Sequence, residues 1–173
     1  DQAGATKTII EALDDEKYAT NKADLFTTVV RFLIHTGQLD EARTRFLNMI
    51  RTEPELAEPG FDLIYGHYVR EGDPAVTLAW VRELLLQPLT PAMKRPATEW
   101  LLVALLETDA AGELLEKFPP FLEEFSAEEA AQVSRRLCSL ALKSDRHELL
   151  EKLVAAVAAS GRKDDPALRS VAL

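Results

Sequence analysis

The sequence predicts an all-α protein, an α-solenoid of stacked antiparallel helix pairs with a period of 35–36 residues. Two observations carry that expectation. First, four turn signatures recur along the chain: Thr36-Gly37-Gln38-Leu39-Asp40-Glu41-Ala42, Glu71-Gly72-Asp73-Pro74, Glu107-Thr108-Asp109 and Lys143-Ser144-Asp145. Gly37 to Gly72 is 35 residues, Gly72 to Thr108 is 36, and Thr108 to Ser144 is 36. A fixed step of this size marks repeated helical hairpins, each too small to bury its apolar face alone. Second, every turn lies between two amphipathic segments of helical period, and no strand pattern competes. The expected molecule has about nine helices, wound as a right-handed stack.

The elements follow in order. Residues 1–22 read as a partial first hairpin, with Ile9, Ile10 and Leu13 on one side of a helix from Lys7 to Leu13 and a connection from Tyr18 to Ala23. Repeat 1, residues 23–58, places Leu25, Val29, Phe32 and Leu33 on its first helix and Leu39, Ala42, Phe46, Met49 and Ile50 on its second. Glu53 to Gly60, with Pro54 and Pro59, reads as a break. Repeat 2, residues 59–88, starts at Phe61 and sets Phe61, Ile64, Tyr65 and Tyr68 against Val76, Trp80, Val81 and Leu84. Repeat 3, residues 89–125, opens with Thr90 as cap and Pro91 at the first helical position. It sets Trp100 to Leu105 against Leu114, Leu115 and Phe118, and Pro119-Pro120 is expected to kink or end the second helix. Repeat 4, residues 126–161, begins with the capping box Ser126 to Glu129, and Asp145 to Glu148 reads as another. Gly161 is placed to end its last helix in a left-handed conformation. Residues 162–173 hold a helix start, Asp164-Asp165-Pro166, or a tail. With Asp1 at the start and a new helix at the end, the chain reads as an excerpt of a longer array.

Gly37, Leu39, Ala42, Phe46 and Pro54 fall at the spacing of the turn glycine, small packing residue, aromatic and closing proline of one known repeat. Repeat 1 thereby resembles the tetratricopeptide repeat. The same stretch, with Met49, is equally similar to a pentatricopeptide repeat. Repeat 2 keeps Gly72 and Tyr68 but has Thr77 where alanine belongs, and the last two repeats keep only the period and the helical pattern. The resemblance implies an inner surface lined by the first helices. Its outward positions, carried over by spacing, are Thr27, Arg31 and His35, then Asp62, Gly66 and Arg70. The paired Lys, Asn and Arg of the tail-clamping tetratricopeptide domains are not among them. In the pentatricopeptide reading the base-reading positions would be Thr27, Asp62, Thr98 and Ser134, with Ala57, Met93 and Glu129 as the second set, where that family uses mostly Asn or Asp.

Composition narrows the function classes. The net charge of −9 opposes capture of a phosphate backbone. Lys94-Arg95 and Arg135-Arg136 are tight basic pairs that could neutralise carboxylates or touch RNA, the first being expected. The single cysteine, Cys138, cannot close an internal disulfide and reads as a buried structural thiol in a reducing compartment. His35, His67 and His147 lack metal-ligand spacing. Asp14-Asp15-Glu16 and Glu123-Glu124 read as solvated helix ends. No phosphate-binding glycine loop or nucleophile motif is present, no cofactor or metal is expected, and no apolar run reaches membrane-spanning length.

The functional expectation is a non-enzymatic interaction module or scaffold. It would bind a partner's helix or extended peptide through Thr27, Arg31, His35, Asp62 and Arg70, which orient the ligand, and through an apolar anchor at Trp100, Leu102 and Leu106. The stretch from Trp100 to Leu106 is apolar nearly all round, which means burial on both faces or a surface that a partner covers. Exposed end repeats offer a route to self-association. A cytoplasmic location is expected. The alternative is a pentatricopeptide-like RNA-binding fragment of an organellar RNA-processing or translation factor, placed in the mitochondrial matrix.

Overall fold

The computed structural model describes residues 21–162 and 164–172, with residues 4 and 8. Apart from Thr8, the helix expected from Lys7 to Leu13 lies outside that set. The described residues form nine helices and no strand: α1 Lys22–His35, α2 Leu39–Thr52, α3 Pro54–Glu71, α4 Pro74–Leu85, α5 Pro91–Glu107, α6 Ala111–Glu124, α7 Ala127–Lys143, α8 His147–Ala159 and α9 Pro166–Ala172. They divide into two compact units, residues 1–94 and 95–173.

In the first unit α1 packs on α2 and α3, and α2 packs on α3. Its core is aromatic. Phe46 on α2 meets Phe26 at 6.4 Å between ring centroids, Phe61 at 6.3 Å and Trp80 at 6.5 Å. Tyr68 stacks on Trp80 at 6.2 Å. Such ring pairs contribute beyond the area they bury. On α1 the buried face is Phe26, Val29, Val30 and Leu33, whereas Leu25 and Phe32 are half-buried. The inward face is therefore turned from the one expected, and Phe26 anchors it. On α4 the expected core residue Val76 is 49% exposed, and Thr77 and Leu78 are buried in its stead.

In the second unit α6 packs on α7 and α8, α7 on α8 and α9, and α8 on α9. Leu114, Phe118, Phe121 and Leu122 form the buried face of α6. Each lies 72 residues after a buried residue of α2: Ala42, Phe46, Met49 and Ile50.

One turn geometry recurs at three of the four expected turn positions. At Thr36, Thr108 and Ser144 the helix ends in the same two-bond motif. Gly37 N–H donates to Ile34 O and Gln38 N–H to Leu33 O; Asp109 to Leu106 and Ala110 to Leu105; Asp145 to Leu142 and Arg146 to Ala141. The central residue is left-handed each time, with φ of 75° at Gly37, 60° at Asp109 and 58° at Asp145. These are the positive-φ residues among those described. They stand 72 and 36 residues apart, so the missing member would be Asp73. Pro74 explains its difference. A residue before proline is pushed to extended backbone, and Asp73 adopts φ −65° and ψ 129°. Asp73 caps α4 instead, accepting from Ala75 and Val76 N–H. The step of 35 residues read from the glycines thus becomes 36, with Gly72 matching Thr36.

Several local expectations are corrected. The break between repeats 1 and 2 is Glu53 alone, because α3 begins at Pro54 and continues through Pro59. Proline is well tolerated at N1, and Pro59 removes one helical hydrogen bond. Gly60 does not end a helix; a Cβ there would sit 2.8 Å from the Phe26 ring, so the glycine permits the close approach of α3 to α1. Helix α6 does not end at Pro119-Pro120. Both prolines are exposed, while Phe118, Phe121 and Leu122 are buried, so tertiary packing carries the helix past them. The capping box expected at Asp145 is absent, because Asp145 is left-handed and Arg146 takes the cap position. Helix α8 ends at extended Ser160, not at a left-handed Gly161. The expected caps Thr90 and Ser126 form: Thr90 Oγ1 accepts from Met93 N–H, and Ser126 and Glu129 make the full capping box.

Candidate functional site

The polar positions expected to face a ligand belong to the first unit. Arg31 and His35 are one turn apart on α1 and both are exposed, as is Asp62 on α3. Helix α1 packs on α3. Thr27 is less free, since it is half-buried and its Oγ1 donates to Ala23 O at 2.8 Å. Gly66 is half-buried. The side chain of Arg70 lies outside the described residues. A guanidinium, an imidazole and a carboxylate on adjacent helices can hold the backbone and charged side chains of a peptide.

The apolar anchor expected at Trp100, Leu102 and Leu106 is not a surface. These side chains are 3%, 0% and 2% exposed, and everything from Trp100 to Leu106 is buried. A helix apolar all round is buried all round, and that reading prevails over the patch. Around Leu137 to Leu142, Leu137 and Ala141 are buried and Leu142 alone is an exposed large apolar side chain. One exposed leucine is ordinary surface.

The basic pairs are engaged within the chain. Arg136 Nη1 donates to Glu99 Oε1 at 2.7 Å, Arg95 Nη1 lies 3.4 Å from Glu99 Oε2, and Arg95 Nε lies 3.5 Å from Glu129 Oε1. Arg135 donates to Ser170. The Glu129 carboxyl is held below the ordinary carboxylate range, first by the Ser126 hydroxyl, then by the Ser126 N–H and by Arg95. Sequence reasoning paired Ser126 with Glu129 but missed the long-range partners, which lie about one repeat away and so become visible only once helices stack.

Two further clusters were not foreseen. The Arg43 guanidinium lies 4.7 Å from the centre of the Trp80 ring and pairs with Glu83 at 3.5 Å and Asp40 at 3.7 Å. Burial raises the pKa of the neighbouring Tyr68 hydroxyl, so it stays neutral. In the second unit, the turns that begin at Thr108 and Ser144 flank an open pocket of about 310 Å³ lined by Asp109, Leu115, Arg146, His147 and Lys152, among others. Its basic side chains have partners: Arg146 with Asp109 at 3.3 Å and with Leu106 O, His147 with Asp145 at 2.8 Å, and Lys152 with Glu148 at 2.6 Å.

Among the described residues no group of three or more His, Cys, Asp or Glu could hold a metal ion. Cys138 is half-buried rather than buried, and desolvation raises its pKa, which lowers the thiolate fraction. No helix among the described residues is long and apolar enough to cross a membrane. No family model, curated protein or solved structure matches the chain.

Proposed function

We propose that the chain is a helical-hairpin repeat module, an α-solenoid of the tetratricopeptide or pentatricopeptide kind, that binds a partner protein and carries out no catalysis. The observation that carries the proposal is the shared turn at Gly37, Asp109 and Asp145, spaced by multiples of 36 residues, together with the packing of α1, α6 and α7 each on the next helix and the next but one. Repeats of this kind present first-helix faces as extended binding surfaces. Here that face offers Arg31, His35 and Asp62, a mixed-charge row suited to a peptide or helix. Affinity in this reading comes from many modest polar contacts along the face, not from an apolar anchor in the second unit.

The RNA-binding alternative is disfavoured on specific grounds. Of its base-reading positions, Ser134 is buried and its hydroxyl donates to Ala130 O; of the second set, Ala57 and Met93 are buried. None of the three can reach a base. Arg95 and Arg136 are held by carboxylates, and the net charge is −9.

The test is quantitative affinity capture with the intact chain beside the double variant Arg31→Glu/Asp62→Lys. Both sites are exposed, so the variant is expected to keep its helicity and melting temperature. The expected result is a protein retained by the wild type and lost by the variant. Equal capture by both, or capture of RNA instead, would contradict the proposal.

A further inference from the structure

We draw no further inference here: the strongest candidate, the pocket of about 310 Å³ between the α5–α6 and α7–α8 turns, presents Arg146, His147 and Lys152, but each is already paired with a carboxylate of the chain and nothing in the structure points to a ligand that would fill it.

Discussion

Phe46 touches the rings of Phe26, Phe61 and Trp80, so its loss opens a cavity at the centre of the first unit. Phe46→Ala is expected to cost roughly 3–5 kcal/mol. Ala42, also fully buried, packs with Val29 and Leu33 of α1, and Ala42→Trp is expected to overpack this contact at roughly 1–3 kcal/mol. Chemical denaturation of each variant checks both. Glu99 bridges Arg95 and Arg136, and Glu99→Gln should cost roughly 1–2 kcal/mol, because it weakens hydrogen bonds to charged donors. Glu129 gives a pH signature. Its folded pKa is depressed, so its contribution is present above the unfolded value near 4.5 and is lost as pH falls below it. Melting curves of wild type and Glu129→Gln should differ at neutral pH and converge in acid. At this scale the sequence was readable where one residue type has one favoured use: Phe46 and Trp80 as core, Thr90 and Ser126 as caps. The partners of Arg43, Arg95, Arg136 and Arg146 were not readable, because each arginine meets residues about 34–40 positions away.

Helices and turns obeyed periodicity better than they obeyed local breaker rules. Pro59, Pro96, Pro119 and Pro120 all sit inside helices. Proline costs about 3 kcal/mol relative to alanine in a helix interior, yet burial of neighbours such as Phe118 and Phe121 outweighs it. Pro119→Ala is therefore expected to stabilise the protein by roughly 1–3 kcal/mol, and unchanged or lower stability would show that the proline fits a bend the fold requires. The left-handed turns provide a second check. Asp145→Ala places a non-glycine residue without a polar side chain at φ 58° and should cost roughly 1 kcal/mol, whereas Asp145→Gly should not. The turn period was legible to within one residue. The miss at Gly72 came from aligning glycines, when the conserved feature of the geometry is the residue after the helix cap. Pro74 had already removed Asp73 from that geometry.

For the whole molecule, the all-helical class was legible because apolar spacing at helical period encodes it directly. The proposed binding face was only half legible. Polar positions on α1 and α3 could be placed by counting, and Arg31, His35 and Asp62 are exposed as counted. The apolar stretch Trp100 to Leu106 could not be assigned to core or surface from sequence, since both demand the same residues; burial decides for core. The proposal is of a protein-binding rather than an RNA-binding module, in which Arg95, Arg136 and Arg146 tie the chain's own helices together. The most direct measurement is a titration of single-stranded RNA against the intact chain across a salt series, followed by fluorescence anisotropy. The account predicts no submicromolar binding at physiological salt. Submicromolar affinity with a steep salt slope would show cations free to neutralise phosphates and would contradict it.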